Sequence, residues 1–280
     1  MRSWCESVAT RRRTPRRAVR PSGQHFLRSR VIAAELVDQA GIGGGDLVLE
    51  IGAGTGRLTE ALASRGGRVL AVELDPELAA RLNRTFSRNP RITVVEADAM
   101  AVRLPERPFR AFGNLPFGVT TQLLRRLLDD PTSPLARADV IVQYEVARKR
   151  TSPWPSSLCS LSWGPWWEFS IARRLPSACF DPPPSVDAAV LSITRRAPPL
   201  LEPGRRREFE ERIARSFRRS AQPVRRSVSV PAQTWKRFAR DRGIGRDATA
   251  RELTVFDWVA LHGIMAPPEV RDSRPDRPFS

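Results

Sequence analysis

The sequence is poor in lysine, histidine and tyrosine. Only Lys149 and Lys236 are lysines among the 47 basic residues of this 280-residue chain, so arginine carries almost all of its positive charge. Two histidines, His25 and His262, are too few for a histidine-rich metal centre and argue against a hydrolase triad. We therefore expect no bound metal.

Cysteines and long apolar runs are also scarce. The three cysteines (Cys5, Cys159 and Cys179) are far apart and without metal-ligand spacing, which predicts reduced thiols and no structural zinc. No run of 18 apolar residues is present, and the first residues lack the apolar segment of a secretion signal. These absences predict a cytoplasmic protein with no membrane partner.

Positive charge is abundant and unevenly distributed. The net charge is +17, but residues 1–30 carry +8, residues 31–194 carry none and residues 195–251 carry +11. A GC-rich genome explains arginine in place of lysine, whereas it does not explain this separation. A neutral middle between two basic segments predicts a catalytic core with extensions that bind a nucleic acid.

Composition and periodicity predict four segments. Residues 1–20 lack apolar periodicity and are expected to be a disordered basic arm, although an organelle transit peptide has the same composition. Residues 21–197 are expected to form a catalytic domain, and residues 198–265 a helical RNA-binding domain. Residues 266–280 are expected to be a disordered tail.

The catalytic segment alternates apolar strands with amphipathic helices. The stretch "DLVLEIGAGTGRLTEALASRGGRVLAVELD" reads as strand, glycine turn, helix and strand, and further strands are predicted at "RITVVEAD", "FRAFGNL" and "DVIVQYE". This pattern predicts an α/β fold with a doubly wound, mostly parallel sheet, in which ligands bind at the carboxyl ends of the strands.

A glycine turn follows the first strand of this pattern. Its glycines, Gly52, Gly54 and Gly56, allow the backbone to approach a ligand closely at an electropositive helix N-terminus. Glu73 ends the next strand, where its carboxylate can accept hydrogen bonds from two ribose hydroxyls. On these residues alone, a dinucleotide is as good a ligand as S-adenosylmethionine.

Two further acids favour S-adenosylmethionine as the cofactor. Glu50, just before the turn, would repel a pyrophosphate but suits a cationic ligand with an amino-acid end. Asp98 follows the third strand, where it can accept a bond from an adenine amine, although a helix cap would also explain it. Together with Glu73 at a neighbouring strand end, these acids predict S-adenosylmethionine.

The stretch "GNLPFGVTT", residues 113–121, contains no carboxylate and no histidine that could act as a general base. An amide oxygen and a backbone carbonyl can instead hold the two hydrogens of an aromatic amine and direct its lone pair at a methyl group. Pro116 fixes the backbone, and Phe117 offers a stacking face worth about 1–3 kcal/mol to a flipped base. We interpret the stretch as the holder of a purine amine; a strand-end turn with a core phenylalanine is the alternative.

Six motifs together resemble those of the ribosomal RNA adenine dimethyltransferases, over roughly residues 20–265. In order they are "SGQHFLRS", "LEIGAGTGRLT", "VELD", "EADAM", "GNLPFG" and "FDPPPSVDAAVL". Within that superfamily the chain most resembles actinobacterial Erm methyltransferases, which dimethylate one adenine of bacterial 23S rRNA and confer resistance to macrolides, lincosamides and streptogramin B. The resemblance implies the Rossmann-like fold of class I S-adenosylmethionine-dependent methyltransferases with a small C-terminal helical domain.

The same resemblance implies which residues form the site. Those implied to bind the cofactor are Gln24, His25, Phe26, Glu50, Gly52, Ala53, Gly54, Gly56, Glu73, Asp98, Ala99 and Asn114. Those implied to hold the target base are Asn114, Leu115, Pro116, Phe117 and Phe180. His25 stands where some members have asparagine, which leaves its role open.

The arginine clusters are the candidates for phosphate contacts, which give affinity but little sequence information. They are Arg11, Arg12, Arg13, Arg16, Arg17, Arg205, Arg206, Arg207, Arg218, Arg219, Arg225 and Arg226. The tryptophans Trp154, Trp163, Trp166 and Trp167 suit either core packing or stacking on RNA bases, and His262 is expected to be an ordinary residue near a helix end.

The leading hypothesis is a monomeric enzyme that methylates the 6-amino group of one adenine in 23S rRNA before the subunit is completely assembled. A small-subunit (16S) rRNA adenine dimethyltransferase acting in ribosome assembly would use the same chemistry. A non-catalytic RNA-binding relative would not bind the cofactor, and a small-molecule methyltransferase would have no use for two basic arms. The sequence leaves the number of transferred methyl groups open.

Overall fold

A computed structural model of the protein describes residues 25–154, 157–228 and 230–265. Contacts between Cα atoms divide the chain into two compact units. The first unit contains the residues up to Ser152 and Trp166–Pro199, and the second contains Pro153–Pro165 and the residues from Leu200 onward. The boundary at residue 197 stays a prediction. Residues 153–165 lie inside the predicted catalytic segment, but in the structure they group with the helical unit.

Strands occur only in the first unit of the described chain. They are β1 (Phe26–Leu27), β2 (Leu47–Ile51), β3 (Arg68–Glu73), β4 (Ile92–Glu96), β5 (Phe109–Asn114), β6 (Leu135–Gln143), β7 (Trp167–Leu175), β8 (Phe180–Asp181) and β9 (Ala188–Arg195). Seven of them form one sheet in the order β4-β3-β2-β5-β6-β9-β7, with β1 and β8 as a separate antiparallel pair. The first five strands of that order run parallel, β9 runs antiparallel to β6, and β7 runs antiparallel to β9, which confirms the predicted mostly parallel α/β sheet.

Helices connect these strands and build the second unit. In the first unit they are α1 (Arg30–Ala40), α2 (Arg57–Ser64), α3 (Pro76–Phe86), α4 (Thr120–Leu128) and α5 (Tyr144–Thr151). In the second unit they are α6 (Leu158–Trp163), α7 (Arg206–Phe217), α8 (Ala232–Asp241) and α9 (Val255–Met265). Contacts between α6 and α7 explain why 153–165 belongs to the helical unit.

Local sequence signals set the ends of the helices that frame the site. The Ser29 hydroxyl accepts hydrogen bonds from the first amides of α1, and Gly41 ends that helix in the left-handed conformation at φ 65°. Asp75 caps α3 in the same way, with Pro76 at its first position, where no amide donor is needed. The chain therefore turns sharply between strand end and helix start, which exposes the carboxyl edge of the sheet.

The structure corrects one sequence expectation for this region and confirms core packing for three of the four tryptophans. The strand predicted over "DVIVQYE" ends at Gln143, and Tyr144 begins α5, although the Tyr144 amide still donates to the Asp187 carbonyl at 2.9 Å, at the next position of the β6–β9 register. Among the four tryptophans, Trp163, Trp166 and Trp167 are at most 2% exposed and pack in the cores, whereas Trp154 is 58% exposed.

In the part of the chain that the structure describes, no helix is both long and apolar enough to cross a membrane. Over those same residues, no group of three or more histidine, cysteine, aspartate or glutamate side chains could hold a metal ion.

Candidate active site

The predicted site residues converge at the carboxyl ends of the parallel strands. The glycine turn follows β2, Glu73 ends β3, Asp98 follows β4 and Asn114 ends β5. Since β3, β2 and β5 are neighbours in the sheet, these groups share one edge, which is where ligands bind in doubly wound folds. The topology thus brings together residues that lie up to 62 positions apart in the sequence, from Gly52 to Asn114.

The glycine turn has a backbone that only glycine adopts without strain. Gly52, Gly54 and Gly56 have φ values of 72°, 56° and 81°. The amides of Gly52 and Ala53 donate to the Val72 carbonyl at 2.9 and 3.2 Å, which ties the turn to β3. The turn is therefore a rigid start to α2, with its shape fixed before any ligand binds.

The segment around β1 lies directly on this turn. A Cβ atom on Gly54 would fall 2.7 Å from Cε1 of the Phe26 ring, so a side chain there cannot coexist with Phe26 in its present position. The Arg57 guanidinium at the start of α2 donates to the Leu27 carbonyl and fixes the segment from the other side. Phe26 and His25, both half-buried, therefore form one wall of the site.

Glu73 is held by the protein's own amides. Its carboxylate is 4% exposed; Oε2 accepts from the Gly54 amide at 2.7 Å and Oε1 from the Asp75 amide at 2.9 Å. A carboxylate oxygen accepts two hydrogen bonds, so each oxygen keeps a second acceptor position. Glu73 thus braces the glycine turn in addition to the ribose contact expected from the sequence.

Asp98 and its neighbours form the outer end of the site. Asp98 is exposed, and its Oδ1 accepts from the Met100 amide at 2.8 Å, while the Ala99 carbonyl accepts from Nε of Arg126 at 3.1 Å. Sequence reasoning missed two apolar side chains beside the strand-end acids: Leu74 is 55% exposed and Met100 is 39% exposed. A large apolar residue one or two positions after a strand-end acid is the signal that could have found them.

Glu50 is a buried carboxylate without a hydrogen bond. It is fully buried, and neither oxygen has a partner among the described residues. Burial raises the pKa of Glu50 to about 8, and the nearby charge of Glu73 adds to the rise, while the hydroxyl and amide of Thr59 oppose it. The Thr59 groups are close enough to interact electrostatically, although neither makes a well-aligned hydrogen bond. Such a group is stabilised by a cation.

The orientation of the Asn114 side chain is fixed by a main-chain partner. Its Nδ2 donates to the His25 carbonyl at 2.5 Å. A carbonyl oxygen only accepts, so the atom facing it must be the amide nitrogen, which leaves Oδ1 as the free acceptor. Next along the chain, the Leu115 amide donates to the Ile141 carbonyl of β6 at 3.1 Å, which anchors the loop to the sheet.

The rest of the "NLPF" stretch forms a tight turn. Leu115 is 1% exposed, so its side chain cannot touch a substrate and only its backbone faces the loop. The Pro116 carbonyl accepts from the Val119 amide and the Thr120 hydroxyl, both at 3.1 Å, which leaves the Leu115 carbonyl without a described donor. Phe117 is half-buried at the start of a 3-10 turn, Phe117–Val119.

His25 connects two loops of the site. Its ring lies 5.8 Å from the Phe117 ring, and its Nδ1 donates to the Pro182 carbonyl at 2.7 Å. Phe180, in β8, pairs with Leu27 of β1. Its side chain is completely buried, so it packs behind the β1 segment. The structure thus gives His25 a defined position that the sequence left open.

The remaining predicted residues are distributed as follows. Gln24 and the arginines at positions 11, 12, 13, 16 and 17 lie outside the described residues. In the helical unit, acids lie within 4 Å of Arg205, Arg206, Arg207 and Arg225. No described acid lies that close to the exposed side chains of Arg218, Arg219 and Arg226.

His262 packs inside the helical unit. It is 2% exposed, and its ring meets the Phe209 ring edge to face at 5.5 Å. Burial first, and then the charges of Arg212 and Arg205, lower the pKa of His262 to about 4. A neutral histidine in an apolar core is an ordinary structural residue.

The chain is similar to several known proteins. The family model for "Ribosomal RNA adenine dimethylase" matches residues 17–266. The mycinamicin-resistance protein MyrB of Micromonospora griseorubida is 32% identical over 243 residues, 86% of this chain and 76% of that protein. The ribosomal RNA small subunit methyltransferase A of Rubrobacter xylanophilus is 35% identical over 271 residues, 91% of this chain and 97% of that protein. The crystal structure of the 23S rRNA methyltransferase ErmE matches with a TM-score of 0.77 and 30% identity, over 86% of this chain and 99% of that one.

Proposed function

The chain belongs to the ribosomal RNA adenine dimethylase family, and we propose that it transfers methyl groups from S-adenosylmethionine to the 6-amino group of one adenine in bacterial 23S rRNA. We further propose that this modification gives resistance to macrolides, lincosamides and streptogramin B. The observation that carries the proposal is the oriented Asn114 amide, whose Oδ1 is left as a free acceptor beside the glycine turn.

The residues present fit the cofactor. A buried carboxylate without a partner, Glu50, suits the positive charge of the methionine end, and the second acceptor positions of Glu73 suit two ribose hydroxyls. Asp98 and the Ala99 amide would hold the adenine, with Leu74 and Met100 as apolar walls. Gln24, His25, Phe26 and the glycine turn would complete the site. When bound, the cofactor supplies an electrophilic methyl group on a sulfonium.

The chain needs no general base for this reaction. The adenine amine is neutral, and two acceptors, Asn114 Oδ1 and the Leu115 carbonyl, would hold its hydrogens and direct the lone pair at the methyl group. Positioning of this kind supplies roughly 7–11 kcal/mol of a barrier. Phe117 would stack on the flipped base, and Phe180 would support the segment behind it. The proton released after alkylation passes to solvent.

RNA binding is proposed for the basic segments. Arg218, Arg219 and Arg226 are the best candidates, because their charges are exposed and no described acid competes for them. An adenine inside folded RNA must leave its stack to reach Asn114, so we propose a loop or irregular stem of 23S rRNA before complete subunit assembly as the substrate, bound by a monomer.

A second candidate is methylation of small-subunit rRNA, because the Rubrobacter relative named above carries that activity in its name. The resistance-protein relative and the 23S-specific solved structure favour the first candidate. Expression of the protein in a macrolide-sensitive bacterium separates the two. The 23S proposal predicts raised inhibitory concentrations for macrolides, lincosamides and streptogramin B, lost with Asn114→Ala, whereas unchanged sensitivity with a soluble wild-type protein would contradict it.

A further inference from the structure

Tyr144, the single tyrosine of the chain, begins α5 directly after β6. Its ring is half-buried, and the Arg174 guanidinium lies 4.5 Å from the ring centre. This distance places the planar cation over the face of the ring, as in cation–π pairs. Neither residue belongs to the cofactor site or to the loop that holds Asn114.

Asp187 holds both members of this pair in place. Nε and Nη2 of Arg174 donate to one oxygen of Asp187 at 3.1 and 2.8 Å, and the other oxygen accepts from the Ser177 amide at 3.1 Å. The Asp187 main-chain carbonyl accepts from the Tyr144 amide at 2.9 Å. The arginine and the amide hold the pKa of Asp187 below its usual value, so the carboxylate stays charged.

This arrangement keeps an exposed arginine in one position. The Arg174 side chain is 60% exposed, yet it has a defined partner on two sides. An arginine so exposed usually samples many rotamers and loses entropy when it binds. Here Asp187 and the Tyr144 ring already hold the Arg174 side chain in one position. Its planar guanidinium is therefore presented to solvent as a flat, charged surface.

The pair lies at the same edge of the sheet as Asn114. The register pairs Asn114 with Ile141 of β6, and Tyr144 begins α5 three residues after Ile141, which places its Cα about 10 Å from that of Asn114. On the other side, Ser177 opens the 3-10 turn that leads into Phe180. The pair is therefore within reach of a nucleotide that flanks a base held at Asn114.

We propose that Tyr144 and Arg174 form a stacking platform for a nucleotide that flanks the target adenine. Unpaired RNA bases stack on aromatic rings and on arginine planes, and the guanidinium also bonds a phosphate. The inference rests on the proposed RNA substrate. It assigns to the catalytic unit itself a contact with RNA, in addition to the basic helical unit.

Tyr144→Leu tests the platform, because it removes the ring but leaves the Arg174–Asp187 ion pair. The substrate is a 23S rRNA fragment that the wild-type protein methylates, with 2-aminopurine at a position flanking the target. We expect a roughly 10- to 100-fold rise in KM for RNA, little change in kcat or in S-adenosylmethionine affinity, and loss of the fluorescence quenching that stacking causes. Tyr144→Phe should recover most of the lost affinity, because it restores the ring.

Arg173→Ala is the matched control. It controls for Arg174→Ala, which removes the charged half of the platform and should raise the KM for RNA as Tyr144→Leu does. Arg173 is adjacent in β7 but pairs with Glu35, so its replacement loses the same charge without touching the platform. Its KM for RNA should equal that of the wild type. An unchanged KM and unchanged quenching in Tyr144→Leu, with the wild type active on the same RNA, would overturn the platform alone. A wild-type protein that methylates no RNA would overturn the proposed function and the platform with it.

Discussion

Nδ2 of Asn114 lies 2.5 Å from the main-chain oxygen of His25. This contact joins the segment that precedes α1 to the end of β5, and it decides which end of the amide faces the site. The acceptor that would hold the adenine amine is therefore positioned by the backbone of His25.

Replacement of Asn114 tests this arrangement. Asn114→Ala removes the acceptor, and Asn114→Asp replaces the donor with an oxygen that repels the His25 carbonyl. We expect kcat to fall by roughly 10²- to 10³-fold in both variants, as for other positioned polar groups in active sites. Single-turnover methyl transfer at saturating RNA measures this loss, with circular dichroism as the check on folding. A kcat within threefold of the wild type in Asn114→Ala would show that the amide is dispensable.

Glu50 should make cofactor binding pH-dependent. Its pKa of about 8 means that the carboxyl is protonated at neutral pH in the cofactor-free protein. A positively charged ligand favours the ionised form, so its binding must release a proton below pH 8. Affinity should rise up to tenfold per pH unit towards pH 8 and then level off. Calorimetry in two buffers of different ionisation enthalpy measures the released proton, and a pH-independent Kd would contradict the assignment.

The same group should limit stability. Between pH 4.5, its ordinary pKa, and about 8, the folded chain keeps a proton on Glu50 that the unfolded chain has lost. The free energy of unfolding therefore decreases as pH rises through this window. Below pH 4.5 the buried carboxyl no longer lowers it. Glu50→Gln should raise the Tm of the cofactor-free protein at pH 8 by about 5 °C or more, and leave it nearly unchanged at pH 4.5. An equal shift at both pH values would contradict this reading.

Gly54 combines a left-handed backbone with a close neighbour. Gly54→Ala introduces a Cβ at φ 56°, 2.7 Å from the Phe26 ring, so it should cost about 1–3 kcal/mol of stability and abolish tight S-adenosylmethionine binding. Gly43→Ala is the control, because it has no atom within 4 Å and no positive φ. Denaturant unfolding and equilibrium binding measure the two effects. Equal behaviour of the two variants would remove the role given to the turn.

The arginines without acid partners should dominate phosphate binding. Arg218, Arg219 and Arg226 are exposed and unopposed, whereas Arg206 shares its charge with Glu210 at 2.9 Å. Each of the three replaced by alanine should lower the slope of log K against log salt by about one. Arg206→Ala should have a smaller effect, and Arg103→Ala, outside the basic segments, serves as the charge control. If the slope of log K against log salt were the same in all of these variants, including Arg206→Ala and Arg103→Ala, the assignment would be contradicted.

The sequence predicted the sheet and the strand-end acids because both follow from short-range patterns. Continuous apolar strands and the glycine turn specify the β2–β3 region locally, and parallel topology then places Glu73, Asp98 and Asn114 at one edge. The sequence could not predict that Glu73 braces the turn, because that contact depends on the backbone conformation at Gly54, which turns its amide towards the carboxylate. The contact between His25 and Asn114 likewise joins residues 89 positions apart.

Two further features are not encoded in a local sequence pattern. The apolar and β-branched run favours a strand through Tyr144, yet the strand ends at Gln143 and α5 begins at Tyr144. Residues 153–165 lie inside the predicted catalytic segment, yet α6 packs with α7 in the helical unit. In this second case a tertiary contact decides which unit the segment joins.

The most direct measurement is transfer of labelled methyl groups from S-adenosylmethionine to protein-free 23S rRNA, 16S rRNA and assembled subunits, with Asn114→Ala alongside. The account predicts label on one adenine of protein-free 23S rRNA, lost in the variant. Label confined to 16S rRNA or small subunits would contradict the 23S assignment, and no label on any RNA would contradict the proposed activity as a whole.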